Sequence, residues 1–377
     1  MERYVVYIHC DELNEGGYPA ECPFSGRRGG MALDTIRSLG LLTGDRRRVA
    51  VPAPLSREQL MRFHTDEYLS LLEAAGDGVH SLRALEMGLG TPDTPLFKDM
   101  WNYLRLAAGG TMTAAELILR GEADIAFNPH GGFHHAHPDR ASGFCYLNDA
   151  VLAAMTLRDA GKRVLILDVD AHHCDAVQNA FYDTDDVTVI SLHESGKTLF
   201  PGTGFVEETG TGKGHGFTIN VPLPVGTWDD IYRQTFRELL PLIERIAPDV
   251  LILEVGMDTL SGDPLAHLNL TNNVFPDLID HLLALGMPIL ATGGGGYNVP
   301  DTARGWALCF GAFCGEDSDT DILAAGMGGV MLANTDWLGG LRDRAMLSHG
   351  GRREEVTADI ARTMDFIRKN IFPFHGL

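Results

Sequence analysis

The most informative stretch of the chain is Val164-Leu-Ile-Leu-Asp168-Val-Asp170-Ala-His172-His173-Cys-Asp175. Its first four residues are apolar, which is typical of a parallel strand buried on both faces. Ionisable residues follow at once, and ligands collect just beyond the carboxyl ends of such strands. In extended backbone Asp168, Asp170 and His172 begin on one face. Burying so many ionisable groups is costly unless a cation or hydrogen-bond partners compensate, so the stretch predicts a metal site.

Short β-rich runs alternate with helical patterns along the rest of the chain. Strands are predicted at residues 4–9, 124–127, 164–167, 187–192, 250–255 and 288–291, and helices at about 97–120, 148–160, 228–246, 275–285 and 300–313. Thr227 and Asp230 resemble a capping box, and Gly161 and Gly286 stand where helix-ending glycines belong. This alternation indicates an α/β fold, a parallel sheet covered by helices on both faces. No repeat or linker divides the chain, so we expect a single domain over residues 1–377.

Polar or glycine-rich turns follow the predicted inner strands. His134 and His135 come after the second strand, Ser191 and His193 lie at the end of the fourth, and Asp258 follows the fifth. A run of glycines and Tyr297 follows the last strand. Because the carboxyl ends of parallel strands share one edge, we expect these side chains to form one site.

The composition limits the class of protein. The chain has 377 residues, 45% of them hydrophobic, and a net charge of −21 from 51 acidic and 30 basic residues. This balance argues against binding to a nucleic-acid backbone, which needs clusters of Lys and Arg. No apolar run is long enough to span a membrane, and no signal-peptide core is present. Six cysteines without paired spacing are typical of reduced thiols, so we expect a cytoplasmic protein.

Asp170, His172 and Asp258 form a plausible ligand set for one divalent ion. Three protein ligands leave a position open for water or substrate, which marks a catalytic zinc site rather than a structural one. Iron(II) or cobalt(II) would also suit these ligands, so the residues alone do not fix the metal.

Two further features suggest acid–base chemistry beside the metal. Asp168 and Asp175 are available to orient His134 and His135, and an Asp–His pair can take a proton from water and return it to a leaving amine. The glycine run before Tyr297 would let the backbone pass close to the metal and present the tyrosine hydroxyl as an oxyanion donor.

Five sequence motifs indicate a resemblance to a known family. The chain resembles the zinc-dependent histone deacetylases, and most closely their bacterial class I-like, acetoin-utilisation members. The resemblance rests on five motifs: Gly132-Phe-His-His-Ala136, Ser142-Gly-Phe-Cys-Tyr-Leu-Asn148, Asp168-Val-Asp-Ala-His-His173, Phe200-Pro-Gly-Thr-Gly204 and Gly293-Gly-Gly-Gly-Tyr297. It implies a three-layer arginase/deacetylase fold with an eight-stranded parallel sheet. Residues 316–377 would be a helical extension packed on this domain.

The resemblance also implies roles for individual residues. Asp170, His172 and Asp258 would bind Zn²⁺, one ion per chain, with Fe²⁺ as the alternative. His135 would be the general base and acid, His134 its electrostatic partner, and Tyr297 the group that polarises the carbonyl. The carboxylates of the two His pairs would be Asp168 and Asp175. Substrate contacts would come from Asp93, Gly143, Phe144, Phe200 and Leu265, and a structural K⁺ from Asp168, Asp170, His172, Ser191 and Leu192. Arg28 would line an inner exit channel for the product.

The chain departs from the family pattern beside the metal. Cys174 and Ala176 stand where the family has glycines, so we expect a changed loop there. Cys22 replaces a family histidine six residues before Arg28.

Three functional alternatives stay open. The expected substrate is acylated lysine in proteins, and small acylated amines such as polyamines are the alternative. A binuclear manganese ureohydrolase would need a second carboxylate near Asp258, and Gly256 stands at that place. A catalytically impaired acyl-amide binding protein is the third possibility. The oligomeric state is not readable from the sequence.

Overall fold

The structure is a computed structural model that describes residues 3–15, 17–316, 340–344 and 350–377. Its centre is one eight-stranded sheet in which all neighbouring strands are parallel, in the order β2-β1-β3-β8-β7-β4-β5-β6. The strands are β1 Val5–Ile8, β2 Arg47–Ala50, β3 Ile125–Asn128, β4 Val164–Asp168, β5 Val187–Glu194, β6 Thr218–Leu223, β7 Val250–Glu254 and β8 Ile289–Thr292. The eight-stranded parallel sheet is therefore confirmed.

All six strands predicted from hydrophobic runs are present, with ends that shift by one or two residues. The runs did not indicate β2 and β6, which occupy the two edges of the sheet. The reason lies in their composition, because β2 carries two arginines and β6 contains both an asparagine and a proline. Edge strands tolerate such residues since one side of the strand makes no ladder hydrogen bonds.

Twelve α-helices lie within the described residues, and the five predicted ones are among them. They are α1 Glu12–Glu15, α2 Arg28–Ser38, α3 Arg57–Leu60, α4 Asp66–Gly76, α5 Leu82–Glu86, α6 Met100–Leu119, α7 Asp149–Asp159, α8 Asp175–Ala180, α9 Asp229–Ile246, α10 Val274–Ala284, α11 Val299–Phe313 and α12 Gly350–Asn370. Short 3₁₀ turns occur at Gly212–Gly214 and Phe372–His375. None of the described helices is long and apolar enough to cross a membrane.

The helices form two layers because alternate strand residues face opposite sides of the sheet. Leu165 and Leu167 of β4 pack into a core with α2, α9, α10, α11 and α12. Val164 and Ile166 pack into a second core with α6, α7 and α8. This two-sided burial explains why β4 reads as a continuous apolar run and confirms the three-layer architecture.

The structure corrects the predicted start of one helix and confirms the predicted ends of two others. The capping box of Thr227 and Asp230 is wrong, because α9 begins after Trp228 without a side-chain cap. The Thr227 hydroxyl donates instead to the carbonyl of Pro224, at 2.7 Å. Gly161 and Gly286 do follow the ends of α7 and α10, with φ angles of +77° and +80°.

The C-terminal extension is described only in part. The buried residues of α12, Val356, Ile360, Met364 and Ile367, join the core on the α9 side of the sheet. The remaining predicted extension, residues 317–339 and 345–349, lies outside the described residues.

Candidate metal centre and active site

Polar side chains occupy one register level near the carboxyl end of six neighbouring strands. Direct pairings connect Asn128 of β3, Thr292 of β8, Glu254 of β7, Asp168 of β4, Ser191 of β5 and Asn220 of β6. Because paired residues in a parallel sheet project to the same face, these side chains form a polar row, and all six are buried. The predicted convergence at this edge is therefore present.

The three predicted metal ligands converge just beyond this row. His172 Nδ1 lies 2.8 Å from an oxygen of Asp258 and 3.1 Å from an oxygen of Asp170. All three residues are buried and can offer ligand atoms to one ion. Ligand atoms around a tetrahedral ion with bonds near 2.0–2.1 Å stand roughly 3.3 Å apart. The spacing observed here fits such an ion after an expansion of a few tenths of an ångström.

The electrostatics of the same three residues also fit a cation. Burial by itself lowers the pKa of His172, but its bonds with Asp170 and Asp258 raise it to about 10. Burial and the charge of Asp170 raise the pKa of Asp258 to about 7. The cluster thus retains a proton between its donor atoms, and a metal ion binds such a set by displacing that proton.

Backbone groups fix the two ligand carboxylates. Asp170 accepts hydrogen bonds from the amides of His172 at 2.8 Å and Gly295 at 2.6 Å, and Asp258 accepts one from Ala171 at 2.9 Å. A Cβ on Gly295 would stand 2.0 Å from Asp258 Oδ2, so the glycine run does pass close to the ligands. A Cβ on Gly256 would lie 2.1 Å from Asp170 Oδ2. No side chain fits at that position, and the second ureohydrolase carboxylate has no room there.

His135 is oriented by Asp175 at the start of α8. Its Nδ1 lies 2.7 Å from Asp175 Oδ1, and His137 approaches the other carboxylate oxygen at 3.3 Å. Burial, followed by the charge of His134, lowers the pKa of His135 to about 3. Since Nδ1–H is given to the carboxylate, Nε2 is the basic atom of this imidazole.

The two residues that replace family glycines leave this pair intact. Cys174 has φ −76° and is fully buried, and Ala176 lies in the first turn of α8. Neither position requires a left-handed backbone, so both side chains are accommodated while Asp175 still reaches His135. The expected change of loop geometry does not disturb the contact.

His134 lies between two carboxylates, and the sequence analysis had assigned it only one. Its Nδ1 donates to Asp168 Oδ2 at 2.8 Å and is also 2.9 Å from Glu254 Oε1. Burial lowers the pKa of His134, but Glu254 and Asp168 outweigh it and raise that pKa well above its usual value. Glu254 was missed because it ends an apolar strand. Its sheet register with Asp168 was not visible in the sequence.

A single proton connects the two histidines. Their Nε2 atoms are 3.0 Å apart, and each Nδ1–H is directed to a carboxylate. The contact therefore needs a proton on one of the two Nε2 atoms. The raised pKa of His134 and the lowered pKa of His135 place this proton on His134. His134 is an imidazolium that donates to neutral His135.

Aromatic side chains and Gly143 surround the approach to His135 and the ligands. The ring of Phe200 lies 5.0 Å from that of His135, and the Tyr297 ring lies 6.2 Å from His172 and 5.6 Å from Phe144. A Cβ on Gly143 would stand 2.6 Å from His135 and 2.9 Å from the Phe200 ring. Phe144 has φ +64°, a strained conformation for a non-glycine residue, as found at ligand sites.

A carboxylate that the sequence analysis missed connects Leu265 with Tyr297. Asp263 accepts hydrogen bonds from the backbone amides of both residues, each at 2.8 Å. Asp93, also predicted to bind substrate, is exposed, and its carbonyl accepts from the amide of Phe144 at 2.8 Å. Leu265 is thus connected to Tyr297 through Asp263, and Asp93 is bonded directly to Phe144.

The remaining predicted residues lie on other sides of the centre. Arg28 is buried behind the glycine run, where it donates to the carbonyl of Gly296 at 2.8 Å and stacks over Phe24 and Trp306. Ser191 and Leu192 lie in β5, next to Asp168 in β4, and the Ser191 hydroxyl contacts His193 at 2.8 Å. The exit-channel and potassium roles of these residues stay predictions. All six cysteines are free, as expected.

An eight-stranded parallel sheet between helical layers, with buried acidic and histidine side chains that could hold a metal at its carboxyl edge, defines the arginase/deacetylase class of α/β fold. The histone deacetylase domain model matches residues 22–313. The chain therefore belongs to the histone deacetylase family and is a hydrolytic enzyme of the deacetylase type.

Relatives and solved structures agree with this assignment. Histone deacetylase 8 of Xenopus tropicalis is 39% identical over 323 residues, which cover 84% of this chain and 86% of that protein. The acetoin utilization protein AcuC of Bacillus subtilis is 38% identical over 81% of each chain. The crystal structure of an HDAC homologue from Aquifex aeolicus superposes with a TM-score of 0.83 at 32% identity, over 96% of this chain and all of that one. An HDAC homologue complexed with SAHA gives the same TM-score at 31% identity over the same shares.

Proposed function

We propose that this protein is a zinc-dependent lysine deacylase. It would hydrolyse acetyl or other acyl groups on lysine side chains and release the carboxylate and the free amine. The observation that carries the proposal is that the ligand trio, the His135–Asp175 pair and Tyr297 surround a single approach. The family membership supports deacetylation, and the geometry supports this particular division of roles.

In this proposal Asp170, His172 and Asp258 hold the metal. When bound, a divalent ion such as zinc would polarise the amide carbonyl and lower the pKa of a water molecule. Fe²⁺ would suit the same ligands, and K⁺ would be bound structurally by Asp168, Asp170, His172, Ser191 and Leu192.

His135 carries the proton transfers. Its low pKa keeps Nε2 unprotonated. This atom would exchange the hydrogen bond from His134 for a proton from the attacking water, and Asp175 would stabilise the imidazolium that forms. The same atom then gives the proton to the amine nitrogen as the amide bond breaks. His134, already charged, stabilises the negative charge that develops on the substrate.

Tyr297 supplies a hydrogen bond to the developing oxyanion. Burial, and then the charges of Asp258 and Asp170, raise the pKa of its hydroxyl well above the ordinary value. The hydroxyl therefore stays protonated and can donate.

The remaining contacts would select the substrate. Gly143, Phe144, Phe200 and Leu265 would enclose the aliphatic part of an acyl-lysine, and Asp93 would accept hydrogen bonds from its backbone amides. Arg28 would line the path by which the carboxylate product leaves. The free cysteines fit a cytoplasmic protein, and one domain over residues 1–377 fits the continuous core.

The test is hydrolysis of a substrate panel by purified, zinc-loaded protein. Acetylated and longer-chain acylated lysyl peptides are compared with free acetylated amines, including polyamines. We expect faster turnover of the peptides. Faster turnover of acetylated polyamines would assign a metabolic substrate instead. Binding of acylated compounds without any hydrolysis would support the impaired binding protein.

A further inference from the structure

Glu254 is a buried carboxylate to which the proposed reaction assigns no contact with substrate or catalytic metal, only an influence on the charge of His134. It is 1% exposed at the end of β7. Oε1 has only the 2.9 Å contact with His134 Nδ1, and Oε2 has no hydrogen-bond partner among the described residues. The hydroxyl of its sheet neighbour Thr292 is also buried and unpartnered in that part of the chain. Buried polar groups are nearly always satisfied, so two adjacent orphans indicate that something binds between or beside them.

The surroundings of Glu254 are those of a cation site. Oxygen and nitrogen atoms of Glu254, His134 and Asp170 lie within 4.8 Å of one another, so all three can contact one ion. Gly294 forms one wall, since a Cβ there would be 2.8 Å from Asp170 Oδ2 and 3.2 Å from Glu254 Oε1. Carboxylate oxygens and one imidazole nitrogen suit transition-metal divalent ions.

We propose that His134, Asp170 and Glu254 form a second divalent-cation site, weaker than the catalytic one and sharing Asp170 with it. It is weaker because an ion there must displace the hydrogen bond between His134 and Asp168. It differs from a ureohydrolase centre, which would require a carboxylate at position 256.

Occupation of this site would inhibit the enzyme. An ion bound to His134 Nδ1 breaks the hydrogen bond to Asp168 that orients this histidine, and it shares the Asp170 carboxylate with the catalytic metal. This consequence rests on the proposed function, whereas the binding itself does not.

The test is zinc stoichiometry measured by equilibrium dialysis at defined free zinc concentrations. We expect wild-type protein to bind one zinc at low free zinc and a second at higher concentration. Glu254→Gln has the same shape but loses the charged ligand, and should bind the second ion at least about tenfold more weakly while retaining the first. Glu194→Gln is the matched control, because Glu194 is a buried carboxylate at the end of β5 outside this cluster, and it should keep both ions.

Wild-type protein that never exceeds one zinc, or a Glu254→Gln variant that gains the second ion like wild type, would overturn the proposal. If the variant does not fold, zinc-edge anomalous diffraction from wild-type crystals decides, with a second peak expected between His134 and Glu254. No peak there at saturating zinc overturns the site. Activity provides a separate measurement: excess zinc should inhibit wild type but not Glu254→Gln. A protein that binds two ions yet hydrolyses no acyl-lysine would contradict the proposed function and leave the site intact.

Discussion

Strands β4 and β7 lie side by side, and charged residues stand at both ends of this pair. At the amino end Arg163 and Asp249 form an ion pair at 3.3 Å with their side chains 63% and 39% exposed. At the carboxyl end Asp168 and Glu254 are register partners, fully buried around His134. Water screens the charges of the first pair. The second pair is buried, so the cost of removing its charges from water must be offset by hydrogen bonds and by the opposite charge of His134. A carboxylate at the amino edge is therefore an exposed ion-pair partner, whereas the carboxylates at the carboxyl edge belong to a buried cluster with a histidine.

The largest expected difference between the two edges concerns the metal. Asp258→Asn should lower metal affinity at least about 100-fold and abolish hydrolysis, because an amide replaces a charged ligand. Asp249→Asn, the same substitution at the amino edge, is the control and should keep its metal. Metal analysis of wild type should find one tightly bound transition ion per chain. Two tightly bound ions would revive the binuclear ureohydrolase.

Removal of the proposed general base, His135, should cause the second-largest loss of activity. His135→Ala should reduce turnover by roughly 10²–10⁴-fold, the range for general acid–base catalysis, while the metal remains bound. Steady-state kinetics with a metal assay on the same sample checks this. Turnover at the wild-type rate would show that the proton moves through another group.

Tyr297→Phe should lower turnover by roughly 10²–10³-fold, the usual effect of removing one oxyanion donor. Its backbone amide still bonds to Asp263, so the loop and the metal content should be unchanged. Unaltered hydrolysis of acetyl-lysine would remove Tyr297 from the site.

Asp93 lies at the exposed rim of this edge, and its effect should depend on the substrate. A carboxylate that accepts amide hydrogen bonds contributes roughly 1.5–3 kcal/mol per bond at most, and less where water competes. Asp93→Ala should therefore cut kcat/KM sharply for an acetylated peptide and scarcely for a small acetylated amine. Equal losses on both substrates, or none on the peptide, would show that Asp93 is only a turn residue.

The smallest effect belongs to the amino edge. Asp249→Asn should change the free energy of unfolding by less than about 1 kcal/mol, as is typical of exposed ion pairs, and leave turnover unchanged. Denaturant unfolding and the peptide assay measure both. A large loss of stability would show that the Arg163–Asp249 pair contributes strongly despite its exposure, so that the two edges of the sheet differ less than their burial indicates.

Much of the architecture was readable from local patterns. The strand at Val164–Asp168 and the ligands after it were predicted because burial on both faces makes a strand uniformly apolar and its polar ending abrupt. The two edge strands were not indicated, because the arginines of β2 and the asparagine and proline of β6 interrupt the apolar run. The predicted cap at Thr227 was wrong because its hydroxyl donates to the carbonyl of Pro224. The spacing of residues in a capping-box motif does not reveal such a competing acceptor.

Local sequence was enough to predict which residue types end each strand, and hence the three candidate ligands, both histidines and the tyrosine. The contact of Glu254 with His134 beside Asp168, and the connection of Leu265 with Tyr297 through Asp263, became visible with the three-dimensional arrangement. The physical reason is register: a residue's chemistry is local, but its partners depend on which strands lie side by side and at what offset. These relations join residues far apart in the chain, and no local pattern records them.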